Sequence, residues 1–188
     1  MSGLQDIRLQ ELISKYSIEN FIETGSHEGT GINYILNSGI SNIYSCDINK
    51  YYVDMCKARF PNATILHCSS VDFLNEVQDL IPGPSLIWLD AHLGYYLYGS
   101  DNKDVNMNLP LWDEVVILSK KDGIEKDIIL IDDIRIINSK DNITFDKSLK
   151  EEYQMKNITI KMITDLFPKH NYELLNWQEG VLFLLPKI

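Results

Sequence analysis

The chain lacks an excess of positive charge: 17 Lys and Arg stand against 27 Asp and Glu, for a formal net charge of -10. Nucleic acid and anionic membrane surfaces are bound through clustered Lys and Arg, and no local basic patch offsets this balance, so neither is an expected partner. It lacks an apolar run near the roughly 18 residues that span a bilayer, and Asp6, Glu11 and Glu19 break up any signal-peptide pattern at the start, so a cytoplasmic location is expected. Cysteine is scarce. Cys46, Cys56 and Cys68 are too few for a disulfide framework and lack the paired spacing of a zinc site, which leaves reduced core or near-core thiols. Repeats and low-complexity tracts are also missing. What remains is 188 residues, 45% of them apolar, enough for one globular domain over 1–188 and too much for a disordered chain.

Short apolar runs alternate with stretches of helical spacing, the βα pattern of a mostly parallel sheet. The expected strands are Asn20 to Glu23, Asn42 to Asp47, Thr64 to Cys68, Ser85 to Asp90, Asp127 to Asp132, Tyr172 to Trp177 and Val181 to Leu185. Helices are expected over Leu4 to Tyr16, Thr30 to Ser38, Lys50 to Arg59, Val71 to Leu80, Leu111 to Ser119 and Asn157 to Phe167. Leu86-Ile87-Trp88-Leu89 and Ile128-Ile129-Leu130-Ile131 are continuously apolar, as central strands covered on both faces must be. The last two strands are separated only by Gln178-Glu179-Gly180, too short for a crossover helix, so they must pair antiparallel. Two polar segments fit neither element. Leu93 to Pro110, with Tyr95, Tyr96 and Tyr98, and Arg135 to Lys156 have the length of lids or binding loops.

The first strand runs into Glu23-Thr24-Gly25-Ser26-His27-Glu28-Gly29-Thr30-Gly31, with a helix directly after. Glycines at such a turn let the backbone approach a ligand and present helix N-terminal N–H groups to it, although an ordinary tight turn would also use them. A dinucleotide fingerprint needs G-x-G-x-x-G, and here the second residue after Gly25 is His27. Glu23 and Glu28 would repel a pyrophosphate and suit an ammonium or sulfonium centre, which favours S-adenosylmethionine over NAD. Asp47 ends the second strand 22 residues past Gly25, where a carboxylate meets the hydroxyls of a ribose or simply caps the turn. Ile48 would pack on the adenine face. Ser69 and Ser70, after the third strand, would meet the adenine edge or cap the next helix.

Taken together, Glu-x-Gly-x-x-x-Gly-x-Gly, Asp47, Cys68-Ser69-Ser70 and Asp90 at successive strand ends resemble the class I S-adenosylmethionine-dependent methyltransferases. The resemblance covers roughly Phe21 to Leu185. It implies a Rossmann-like, doubly wound seven-stranded α/β sheet of order 3-2-1-4-5-7-6 with a C-terminal antiparallel hairpin. It also implies a cofactor site of Glu23, Gly25, Ser26, Gly29, Gly31, Asp47, Ile48, Ser69, Ser70 and Asp90. Many members carry an Asp at the adenine position, where this chain has serines.

Ligands in open parallel sheets sit beyond the carboxyl ends of the strands, so Asp90 and the Asp132-Asp133 pair are expected to converge. Three carboxylates in one cleft must raise their pKa values or share a cation, and oxygen-only ligands suit Mg²⁺. Alternatively, Asp132 caps the next segment and Asp133 pairs with Arg135. The catechol-type and macrocin-type O-methyltransferases, which the chain resembles, place metal-binding acids here, implying Mg²⁺ on Asp90, Asp132 and Asp133. Trp88-Leu89-Asp90-Ala91-His92, Pro110-Leu111-Trp112-Asp113-Glu114 and Asp-Asp-x-Arg are similar to a subset of small bacterial members. His92 is then a candidate base beside Asp90, and Glu114 either a further ligand or a helix-start charge. The expected activity is methylation of a hydroxyl on a small acceptor, a sugar or polysaccharide first and a phenol or catechol second. Homo-oligomers are compatible with it. The alternatives are metal-independent N-methylation, an NAD- or nucleotide-sugar-binding protein without methyl transfer, and a binding domain that has lost catalysis.

Overall fold

The computed structural model describes residues 4, 8–78, 80–91, 109–137, 155, 157–175 and 180–187. In chain order its elements are α1 (Leu9–Tyr16), β1 (Asn20–Thr24), α2 (Thr30–Asn37), β2 (Asn42–Asp47), α3 (Lys50–Arg59), β3 (Thr64–His67) and α4 (Ser70–Val77). They continue as β4 (Ser85–Leu89), α5 (Leu111–Leu118), β5 (Ile128–Ile131), α6 (Ile160–Asp165), β6 (His170–Leu175) and β7 (Val181–Pro186). The seven strands form one sheet of order β3-β2-β1-β4-β5-β7-β6. Five of them run parallel, and β7 pairs antiparallel with both β5 and β6.

Both faces of the sheet are covered, which is why its central strands read as unbroken apolar runs. Leu86 and Trp88 of β4 and Ile128 and Leu130 of β5 face a core with Phe21, Ile32, Val53 and Phe183. Their neighbours Ile87, Leu89, Ile129 and Ile131 face the opposite core, with Ile22, Phe73, Leu111 and Leu184. No helix among the described residues is long and apolar enough to cross a membrane.

Two element ends that differ from the sequence expectation carry a local hydrogen bond that explains the difference. Helix α6 starts at Ile160 because the Thr159 side chain accepts from the Met162 N–H, a cap that leaves Asn157 outside. Strand β6 starts at His170, whose N–H closes a turn onto the Phe167 carbonyl and which pairs with Pro186.

At the amino ends of the strands lies a buried ion pair. Lys121 Nζ sits 2.8 Å from Asp127 Oδ2, with both side chains no more than 5% exposed. Asp127 Oδ1 accepts from the Ser85 N–H at 2.9 Å, and His170 Nε2 lies 2.9 Å from the Asp127 carbonyl. This network ties the end of α5 to β4, β5 and β6. Burial lowers the His170 pKa and raises that of Asp127, against the pull of Lys121.

Candidate active site

At the carboxyl end of β1 the chain turns back on β2. The N–H groups of Gly25 and Ser26 both donate to the Cys46 carbonyl, at 3.0 and 2.8 Å, and Gly29 N–H closes the turn onto the Ser26 carbonyl at 2.7 Å. Gly25 and Gly29 have positive φ, 83° and 75°, and His27 joins them at 42°. Gly25 is needed for a second reason. A Cβ there would lie 2.8 Å from the Asp90 carbonyl oxygen and 3.1 Å from Ala91 Cα, both fixed backbone. The turn is thus pressed against the end of β4, where the Asp90 N–H reaches the Thr24 carbonyl and hydroxyl at 3.2 and 3.3 Å.

Under this turn lies Glu23, 2% exposed. One of its oxygens accepts from the Ser45 hydroxyl at 2.7 Å. The other abuts Gly31, where any side chain would collide with it. Burial, set against the Ser45 hydrogen bond and helped by the charge of Asp47, pushes the Glu23 carboxyl from 4.5 to about 8. At neutral pH the carboxyl therefore holds its proton.

Asp47 ends β2 and accepts from the His27 N–H (2.8 Å) and the Asn49 N–H (2.7 Å), one on each oxygen. It caps the turn, and each oxygen keeps a lone pair for a further donor. The ring of His27 packs on Tyr52 with centroids 4.3 Å apart. Neither contact of His27 was legible in the sequence, where only the glycines marked the turn. Ile48, next along the chain from Asp47, is 59% exposed. Ser69 caps α4, accepting from the Asp72 N–H at 3.1 Å and donating to its carboxylate at 2.7 Å. Ser70 is buried in the first turn of that helix.

Asp132 follows β5, its N–H bound to the Leu89 carbonyl at 3.1 Å, so the ends of β4 and β5 are joined. Asp90 is exposed at the end of β4. Desolvation by the surrounding atoms, then the charges of Asp132 and Glu23, pushes its carboxyl well above the usual range, while the Trp88 indole N–H, 3.3 Å away, pulls the other way. Asp90 and Asp132 thus stand near enough at these strand ends for their charges to interact.

The expected magnesium set does not fit. Asp133 sits at φ 55° with its carboxylate on Arg135, whose Nε donates to Oδ1 at 2.5 Å and Nη2 to Oδ2 at 3.4 Å. Among the described residues no three His, Cys, Asp or Glu side chains meet as a cation site. Arg135 already neutralises the carboxylate that Asp133 would offer to a metal, so as placed here Asp133 does not complete a ligand set with Asp90 and Asp132. Glu114 is fully buried in the first turn of α5. His92, the tyrosines 95, 96 and 98, and most of 138–156 lie outside the described residues.

No protein-family model matches the sequence, and no match is found among the curated proteins. Solved structures do match. The fold superimposes on a Podospora anserina methyltransferase bound to S-adenosylhomocysteine with a TM-score of 0.64 at 13% identity, covering 100% of this chain and 80% of that one. A Bacillus cereus O-methyltransferase, also in complex with S-adenosylhomocysteine, gives 0.59 at 14% identity, covering 100% and 82%. The fold is that of the class I S-adenosylmethionine-dependent methyltransferases. In the methyltransferase fold the carboxyl ends of the central strands form the ligand cleft, which is where Glu23, Asp47, Asp90 and Asp132 stand here.

Proposed function

We propose that the chain binds S-adenosylmethionine across the carboxyl ends of β1, β2 and β4 and transfers its methyl group to a hydroxyl of a small acceptor. A sugar or polysaccharide hydroxyl is preferred, and a phenol or catechol comes second. The observation that carries this proposal is the protonated, buried Glu23 beneath the glycine turn, an acid site prepared for a cation at the place where a phosphate binder would need the opposite charge. The S-adenosylhomocysteine in two structural neighbours, one of them named an O-methyltransferase, supports it.

In this proposal Gly25, Ser26, Gly29 and Gly31 leave room for the methionine part, with Glu23 facing its cationic end. Asp47 takes the ribose hydroxyls on its remaining lone pairs, Ile48 covers the adenine, and Ser69 or Ser70 meets the adenine edge. The acceptor oxygen attacks the methyl carbon as the carbon–sulfur bond breaks, releasing S-adenosylhomocysteine, and the hydroxyl proton passes to Asp90. Burial and the neighbouring acids raise the proton affinity of Asp90, so its ionised form is a strong base and only that form can take the proton. His92 is a second candidate for the proton. Because Arg135 occupies Asp133, no step depends on a metal.

Two measurements test this. Titration calorimetry is expected to show binding of S-adenosylmethionine and S-adenosylhomocysteine and none of NAD, and repeating it at pH 7 in buffers of different ionisation enthalpy should reveal close to one proton released per S-adenosylmethionine bound. NAD binding in place of both would overturn the proposal. Methyl transfer to the acceptor is expected to survive EDTA. Activity abolished by EDTA and restored by Mg²⁺ would return Asp90 and Asp132 to the role of metal ligands.

A further inference from the structure

Strands β2 and β3 pair with Cys46 opposite Leu66. Side chains repeat every second residue along a strand, so Cys68, two residues past Leu66, lies toward the same face as Cys46. Both thiols pack in the core cluster that holds Leu66, Phe73 and Leu111. Each thiol is near enough to shift the other's titration, and both are free cysteines. They differ in access: Cys46 is 1% exposed, whereas Cys68 is half-buried. Each is joined to a different wall of the cleft. The Cys46 carbonyl holds the N–H groups of Gly25 and Ser26, and Cys68 directly precedes Ser69, the cap of α4.

We propose that Cys46 and Cys68 are a reversible redox pair whose disulfide disturbs the adjoining cleft. The effect on the cleft's ligand rests on the S-adenosylmethionine assignment above, whereas formation of the disulfide does not. A hydroperoxide is the oxidant. The Cys68 sulfur attacks one peroxide oxygen, the O–O bond breaks, and an alcohol or water leaves with a cysteine sulfenic acid in place. The Cys46 sulfur then attacks that sulfenic sulfur, the S–S bond forms, the S–O bond breaks, and the hydroxide leaves as water with the Cys46 proton. Two electrons pass from the thiols to the peroxide, and a dithiol reverses the reaction.

Cys68 is the more accessible thiol, and its interaction with Cys46 lowers its pKa, so it is the attacking sulfur, while Cys46, buried and raised, waits as the resolving thiol. Bringing the sulfurs from non-bonded contact to a bond of roughly 2.05 Å requires the ends of β2 and β3 to move together. The Cys46 carbonyl is carried with β2, and the hydrogen bonds that seat Gly25 and Ser26 are strained. Cys56 is an internal control. It is fully buried, and its thiol donates to the His27 carbonyl at 3.3 Å.

The experiment treats the full chain with hydrogen peroxide, then alkylates it in denaturant and reads intact mass. Alkylated cysteines are expected to fall from three to one, with a peptide linking Cys46 to Cys68. The dissociation constant for S-adenosylhomocysteine should rise by about tenfold or more and return with dithiothreitol. Cys68→Ser should bind normally and ignore peroxide. Cys46→Ala, if folded, should stop at a sulfenic or sulfinic acid on Cys68. Over-oxidation of Cys68 in the parent protein without a crosslink would overturn the pair, and a crosslink with unchanged affinity would overturn its effect on the cleft. Reduced protein that fails to bind S-adenosylhomocysteine would refute the cofactor assignment and the effect on affinity with it, while mass still decides the disulfide.

Discussion

Glu23→Gln is expected to make the ligand-free protein progressively more stable than the parent as pH rises from 5 to 9. A buried acid raised from 4.5 to about 8 keeps its proton in the folded state while the unfolded chain has lost it. The stability this confers is fully present below the unfolded value and disappears as pH climbs through about 8. Over that span the parent forfeits up to roughly 5 kcal/mol, at about 1.4 kcal/mol per pH unit. Gln presents nearly the same shape without the charge, so it escapes the loss. For a chain of this size the difference in melting temperature should grow by roughly 10 to 20 °C between the two pH values. A constant difference across pH would mean that Glu23 titrates as an ordinary carboxyl. The same substitution should weaken S-adenosylmethionine binding and remove the released proton. Stability gained and affinity lost in one variant is the mark of a residue strained for function.

Gly25→Ala should cost about 2 to 4 kcal/mol of stability and abolish binding of S-adenosylhomocysteine. Two penalties combine. The φ of 83° is one that L side chains rarely adopt, and the new Cβ would stand 2.8 Å from the Asp90 carbonyl oxygen, which the backbone of β4 holds in place. Gly39→Ala separates them, because Gly39 has a φ of 92° but nothing within 4 Å of its Cβ position. That variant should lose only the backbone part, about 1 to 2 kcal/mol, and bind normally. Equal losses from both would show that the contact with β4 is slack. Chemical denaturation reports the first quantity and calorimetry the second.

Much of the architecture was legible because burial on both faces of a sheet leaves unbroken apolar runs such as Ile128 to Ile131, and because a three-residue turn admits only an antiparallel partner. The strand ends then located the acids. What the sequence could not convey was how those acids are occupied. Asp132-Asp133 reads equally as a ligand pair or as a cap beside an Asp133–Arg135 ion pair, and residue order does not decide between them, because the choice depends on the φ of 55° at Asp133 that folds Arg135 back on it. Likewise Asp47 was located without its two backbone donors, and Glu23 without the enclosure that raises its pKa. Cys46 and Cys68, 22 positions apart, read as unrelated thiols because only the register of β2 on β3 brings them together.

The protonated Glu23 also alters the electrical accounting of the whole molecule. With that one proton retained at neutral pH, Glu23 adds no charge to the folded and empty chain. S-adenosylmethionine carries one net positive charge, so its entry with loss of the Glu23 proton leaves the total where it began. The cleft then behaves as an ion exchanger, trading a proton for a sulfonium at almost constant charge. Electrophoretic mobility would not register the cofactor's arrival, although the pH of an unbuffered solution would.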